Sequence, residues 1–438
     1  MWAYNETFYQ IYPIGFCGAP DGNDGETVPR IRKVSEWCVH LHKLGVGAVL
    51  FNPVFESDSH GYDTRDFLKI DCRLGTNKDF AAVCKDLHEH SLNIILDGVF
   101  NHVGRNFWAF KDVQVKKWES GYKDWFLINF NGNSGYNDGF WYEGWEGHFE
   151  LVKLNLKNPA VVDYLLNCVS AWIEEFDIDG LRLDVAYSLD RDFMKRLRAH
   201  CDSLKPGFVL IGEVLFGDYN QIVNDQMLHS CTNYECYKGI FSSFNSMNMF
   251  EISYSLNRQF GKEQWCLYRG MHLMNFVDNH DVTRIASILT NKKHLPLVYG
   301  MLFAMPGIPC LYYGSEWGEE GVKTPGNDYS LRPCFDKPDW NALTDVIRTL
   351  NKITRGSDAL CNGGYANIVV TNHQLVFERK SDKEQIFVAI NADAGTYTAS
   401  HGSLQGDFVE LLTRKSITLN SQLEMPAYSM QFLKKVEK

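Results

Sequence analysis

The sequence predicts an α/β fold: a (β/α)8 barrel with a small domain inserted after its third strand, followed by a C-terminal antiparallel β-sandwich. From residue 8 to about 355, short β-rich runs alternate with longer amphipathic ones, which implies parallel strands joined by crossover helices. The alternation yields eight strand candidates, and a closed barrel is the economical way to pair eight parallel strands. An aromatic-rich gap interrupts the rhythm once, and the last 80 or so residues change to short alternating strands.

FYQIYPIGF (8–16) reads as the first strand, and RIRKVSEWCVHLHKLG (30–45) as a helix stopped by Gly45. GAVLFNPVF (47–55) is the second strand, NKDFAAVCKDLHEHS (77–91) the next helix and LNIILDGVFNH (92–102) the third strand. Residues 104–157 then carry no clear helical period and are dense in aromatics, glycine and asparagine. That is too long for an ordinary connection and predicts an inserted domain, with Trp108, Trp141, Tyr142 and Trp145 divided between its core and a cleft. The rhythm resumes at residues 158–176, where Asn158 suits a helix cap and Pro159 the first helical position. DIDGLRLDVA (177–186), a helix over 190–204, FVLIGEV (208–214), MLHSCTNYE (227–235), a helical stretch over 238–260, HLMNFVDNH (272–280) and GIPCLYYGSE (307–316) complete the series. The barrel thus takes residues 1–103 and 158–356, the insert 104–157 and the β-domain 357–438.

Composition narrows the function classes. A net charge of -11 works against nucleic acid or an anionic membrane surface, since either needs a basic face. No basic segment followed by an apolar run opens the chain, and no stretch reaches the roughly 20 apolar residues of a membrane span. The chain therefore reads as a cytoplasmic protein without a membrane partner. Its 12 cysteines are scattered from Cys17 to Cys361 without a Cys-x-x-Cys pair, the pattern of buried reduced thiols.

The candidate chemistry begins at GLRLDVA. Positions i and i+2 of a strand face one side, so Arg182 and Asp184 point together. At the C-terminal end of a barrel strand that side opens on a pocket, where a cation beside Asp184 would keep it ionised as a nucleophile requires. Alone, the pair equally fits a buried structural ion pair. The arrangement recurs, however: Asp97, Asn101 and His102 end one strand, Glu213 another, and Asp278, His280 and Asp281 a third. A barrel brings these ends to one mouth, and helix capping does not account for four acidic ends at once.

In order and spacing, DGVFNH, GLRLD, IGEV and FVDNHD resemble the four signature regions of the α-amylase superfamily, glycoside hydrolase family 13. YQIYP, SHGYDTRDF (59–67), LGT (74–76) and GIPCLYYGSE add to the likeness, which spans about residues 8–355. LVKLN (151–155), YKDWF (122–126) and GLRLDVA resemble the neopullulanase, cyclomaltodextrinase and maltogenic amylase group. The resemblance implies a retaining α-glucan hydrolase with Asp184 as nucleophile, Glu213 as acid/base and Asp281 as transition-state stabiliser. It also implies a sugar subsite from His102, Arg182 and His280 with Tyr62 as a platform, and a neighbouring subsite from Asp328 and Arg332. Asp97 reads as support for the pocket.

The implied substrates are maltooligosaccharides, cyclodextrins or pullulan, cleaved at α-1,4 and also α-1,6 bonds. A glucanotransferase or isomerase would use the same intermediate, and a non-catalytic sugar-binding homologue would lose one of the three acids. No cofactor is required. Calcium in the family's usual site rests on Asn101 alone, because VAYS follows Asp184 where calcium-dependent amylases carry a Lys-His pair. That group's N-terminal domain is not seen before the first strand, which points to a monomer or weak homo-oligomer.

Overall fold

The computed structural model describes residues 1–436. Eight parallel strands form the barrel: β1 (Phe8–Ile11), β2 (Ala48–Phe51), β3 (Asn93–Gly98), β4 (Gly180–Leu183), β5 (Val209–Gly212), β6 (Ser230–Cys231), β7 (Met274–Phe276) and β8 (Ile308–Tyr312). Their hydrogen-bonded order is β6-β5-β4-β3-β2-β1-β8-β7. A parallel bridge from Thr232 to Met274 joins β6 to β7 and closes the ring. Helices such as Lys33–Leu44, Asn77–Glu89 and Pro159–Phe176 make the crossovers and bury their apolar stripes against the outside of the barrel. Gly45 ends the first of them at φ 84°, a left-handed cap that costs glycine little. The Asn158 side chain accepts from the Ala160 N–H, with Pro159 behind it, to start the third.

The strands are shorter than the sequence suggested. Pro13, which has no N–H to donate, ends β1 and opens a one-turn helix, Pro13–Phe16, so residues 8–16 are not one strand. Pro53 likewise separates β2 from Phe55–Ser57, which pairs with Thr64–Ile70 as a hairpin outside the barrel. In 227–235 only Ser230–Cys231 is strand, because the Asn233 side chain caps the helix Tyr234–Ser246. The helical stretch over 238–260 is two helices, broken at left-handed Met247 before Phe250–Phe260.

The insert is built on a three-stranded sheet of His102–Gly104, His148–Lys153 and Gly144–Trp145. It also holds the helix Trp108–Lys116, which the sequence reading did not find. Tyr142 is fully buried in the insert's core, Trp108 and Trp141 are partly exposed, and Trp145 faces the cleft.

The C-terminal strands β9 (Gly364–Val370), β10 (Gln374–Lys380), β11 (Gln385–Asn391), β12 (Tyr397–Glu410), β13 (Lys415–Met425) and β14 (Ser429–Lys435) form one antiparallel sheet in the order β9-β10-β11-β14-β12-β13. One face carries Phe377, Val388 and Phe432 into the core shared with the barrel. The other encloses Val376, Phe387, Phe408 and Leu423. The C-terminal β-domain is thus a six-stranded antiparallel sheet with an apolar core on each face. All 12 cysteines are free thiols, and most are buried.

Candidate active site

Register places the first charges. Parallel pairing of β3 with β4 sets Arg182 beside Asp97, and pairing of β4 with β5 brings Glu213 alongside from the end of β5. Arg182 Nη1 donates to both Asp97 oxygens at 2.8 Å and to Asp184 Oδ1 at 3.0 Å, while Nη2 stands 2.9 Å from Glu213 Oε1. One guanidinium thus holds three buried carboxylates.

The residue after Asp184 is strained. Val185 sits at φ 39°, ψ 48°, a left-handed conformation that costs a β-branched residue about 1–3 kcal/mol. The conformation aims its N–H at Glu213 Oε2, 3.0 Å away, so the turn that ends β4 also fixes the Glu213 carboxylate.

A second network comes from β1 and β2. The Gln10 amide donates to Asn52 Oδ1 and to His280 Nδ1, each at 2.9 Å. That leaves the His280 proton on Nε2, which faces the Tyr62 hydroxyl at 2.6 Å and Asp281 Oδ2 at 3.0 Å. Tyr62 passes its own proton to Asp97 Oδ2 at 3.0 Å, so the two networks meet. Asp281 is further held by Arg332 Nη2 at 3.2 Å, the same nitrogen that reaches Asp328 at 3.2 Å.

These groups surround a cavity of about 520 Å³ lined by Asp184, Glu213, Asp281, Tyr62, His102, Asp328 and Arg332 together with Trp145, Tyr187 and Leu215. An outer groove of about 1150 Å³ continues from it and shares His60, His148, Lys323, Asp328 and Arg332. Two residues expected to touch sugar, Arg182 and His280, stand one layer deeper. The Arg182 guanidinium faces Asp97, Asp184 and Glu213, and His280 Nε2 faces the Tyr62 hydroxyl and Asp281. Asp278 turns away from the cavity to accept from Ser315 Oγ and the Ile285 N–H.

Burial decides the protonation states. It pushes the Asp184 carboxyl well up, against the pull of Arg182 and with the help of Glu213 and Asp97. It raises Glu213 as well, where Arg182 opposes and Asp281 reinforces. Burial also works against ionisation of Asp281, but the hydrogen bond from His280 Nε2–H and the charge of Arg332 overcome it and hold that carboxyl below its ordinary value. His102 and His280 are pushed down to about 3, again by burial, and stay neutral. Like charges competing for one guanidinium oppose one another's ionisation. His102 Nε2, buried and 3.9 Å from Asp184, has no hydrogen-bond partner and is free to meet a ligand hydroxyl.

Asn101, the possible calcium ligand, lies buried at the end of β3. Its side-chain amide nitrogen faces the His102 ring at 3.2 Å, and its backbone carbonyl accepts from the Leu154 N–H. Among the described residues the one cluster of three metal-ligating side chains is Glu56, Asp71 and Cys72, which Arg73, Arg65 and Lys69 already neutralise.

Gln10, Asn52, Val185 and Tyr187 are the site residues that sequence reasoning missed. A lone polar residue inside an apolar strand, as in FYQIYP, is the one signal that points to Gln10.

A barrel with paired carboxylates sharing a cation at the C-terminal ends of its strands, beside an open groove, defines a glycoside hydrolase. The chain belongs to the α-amylase family: the model of the α-amylase catalytic domain matches residues 10–363. It is 30% identical to a cyclomaltodextrinase from Bacillus sp over 428 residues, 91% of this chain and 74% of that one. It is 31% identical to an intracellular maltogenic amylase from Bacillus subtilis (strain 168) over 422 residues, 89% and 69% of the two chains. A solved cyclomaltodextrinase structure superposes with a TM-score of 0.86 at 26% identity, covering 99% of this chain and 78% of that one.

Proposed function

We propose that the protein is a retaining α-glucan hydrolase that cleaves α-1,4 bonds, and α-1,6 bonds as well, in maltooligosaccharides, cyclodextrins or pullulan. The observation that carries this reading is the single guanidinium bound to two cavity-lining carboxylates, Asp184 at 3.0 Å and Glu213 at 2.9 Å. It sets both at one edge of the cavity, as a nucleophile and its acid/base partner require.

Asp184 attacks the anomeric carbon while Glu213 protonates the departing glycosidic oxygen. Water then attacks the glycosyl ester, Glu213 takes its proton, and the C1–O bond to Asp184 breaks with the electron pair returning to the carboxylate. Asp281, kept ionised by His280 and Arg332, faces the positive charge that develops at the ring. Tyr62 and His102 hold the sugar being transferred, and Asp328 and Arg332 hold the one before it. No step needs a metal. A cytoplasmic monomer or weak homo-oligomer suits the free thiols and the intracellular relative.

Proton NMR of the first product released from maltotriose tests the mechanism. The α-anomer is expected before mutarotation, and a β-anomer would refute the retaining assignment. Activity surviving in Glu213→Gln would refute its role.

A further inference from the structure

Arg73, Arg284 and Arg379 are wholly buried, and they differ in what balances their charge. Arg73 pairs with Asp71 at 2.7 Å, and Arg284 shares Ser315 Oγ with the Asp278 carboxylate. Arg379, on β10, meets no acid among the described residues: the titratable groups that face it are Cys361 and Tyr365, and burial pushes its guanidinium down to about 9. Glu6 and Asp358, on neighbouring segments, are taken by Arg355 and Lys383. A guanidinium removed from water without a counter-charge opposes folding, so its presence calls for a partner.

Arg379 lines a cavity of about 170 Å³ where the C-terminal sheet meets the base of the barrel. Its walls come from residues 270–272 and 306–307, which lead into β7 and β8, and from residues 361–365 at the start of β9. Arg379 Nε donates to the Gly364 carbonyl at 3.3 Å, Nη1 to Ala304 at 2.6 Å and Nη2 to Gly363 at 2.9 Å. A guanidinium carries five N–H groups, so one on each Nη has no acceptor among the described residues. At the exposed rim Arg269 donates from Nε and Nη2 to the Gly261 and Glu263 carbonyls, which leaves its Nη1 without one. His272, pushed down by burial and by Arg379, stays neutral and adds no charge.

We propose that this cavity is a site for a small oxyanion of the phosphate class, held by Arg379 from within and Arg269 at the rim, and that the bound anion fastens the C-terminal sheet to the base of the barrel. One N–H from each Nη can meet two oxygens of one oxyanion, as in bidentate arginine–phosphate pairs. At about 30 Å³ for each water-sized group, the cavity accommodates the five heavy atoms of phosphate. The competing reading is a clamp on three carbonyls. Ala304 ends a helix, but its carbonyl supplies only partial negative charge, and a clamp leaves the second arginine at the rim without a purpose. The site lies at the opposite end of the strands from Asp184 and Glu213, so it takes no part in hydrolysis.

Denaturant unfolding of the full chain in inorganic phosphate, against potassium chloride at matched ionic strength, tests the site. Phosphate at about 100 times its dissociation constant is expected to raise the folded-to-unfolded ratio about 100-fold, and chloride to leave it nearly unchanged. Calorimetric titration with phosphate is expected to show one site, weakened about tenfold in Arg269→Gln and lost in Arg379→Gln, with kcat on maltotriose unchanged in both. Arg269→Gln, at the exposed rim, carries the test should Arg379→Gln fail to fold. Equal stabilisation by chloride and phosphate would reduce the effect to screening and overturn the site. So would an unchanged phosphate affinity in Arg269→Gln, which would put the anion elsewhere. No response to phosphate would leave Arg379 as a clamp on three carbonyls and overturn the proposal outright.

Discussion

The two ends of the barrel are built from the same eight strands and bury opposite things. At the base, Phe8, Leu50, Ile95, Ile211, Phe276 and Ile308 pack into a wholly apolar cluster closed from below by Ala3. At the mouth, one turn further along the same strands, Arg182, Asp97, Asp184, Glu213, Asp281, His102 and His280 are buried, and Val185 is held in a strained conformation. Apolar burial stabilises the base at about 25 cal/mol per Å². Buried charge at the mouth contributes little or opposes folding. The base therefore holds the geometry in which the mouth is kept, and the two ends respond differently to substitution.

The largest effect belongs to the mouth. Asp184→Asn and Glu213→Gln are each expected to lower kcat on maltotriose by about 10³-fold or more while the fold persists, measured by steady-state kinetics beside circular dichroism. Next, Leu50→Ala or Ile211→Ala at the base is expected to cost about 2–5 kcal/mol in denaturant unfolding, with kcat of the remaining folded enzyme nearly unchanged. If those substitutions lowered kcat as much as Asp184→Asn does, the division between the ends would fail. A smaller effect falls on Gln10, whose amide sets the His280 tautomer: Gln10→Leu is expected to reduce kcat about tenfold with little change in KM.

The pH profile sharpens the same contrast. Because burial raises Glu213, the alkaline limb of kcat/KM is expected above its ordinary value of 4.5. A limb at or below that value would mean the carboxyl is well solvated.

The barrel was legible because its alternation of strand-length and helix-length apolar runs survives in the sequence. The strand ends were not, since a single Pro13 or Pro53 decides them and the apolar run continues past it into another element. Within the site, acids at the ends of apolar strands were readable because they violate the pattern of burial. Gln10 and Asn52 were harder to see: one polar residue reads as a solvated face, and Asn before proline reads as a turn. Tyr187 gave no signal as a lining residue, because an aromatic residue in a loop looks like packing until the cavity beside it is known. The depth of Arg182 was also hidden, since period two gives the face of a strand and not which layer of the barrel a side chain reaches.

The most direct test is the stability of Asp184→Asn against wild type as a function of pH. A carboxyl whose pKa is raised by folding stabilises fully below its unfolded value of about 3.9, and this contribution is lost as pH rises through the folded value. Above that folded value wild type carries a buried anion that the asparagine does not. The variant is therefore expected to be more stable by about 1–2 kcal/mol at pH 7, with the gain shrinking toward pH 4 as its activity remains abolished at both. A variant less stable than wild type at pH 7 would show that the charges at the mouth hold the barrel together, and would contradict the division between its two ends.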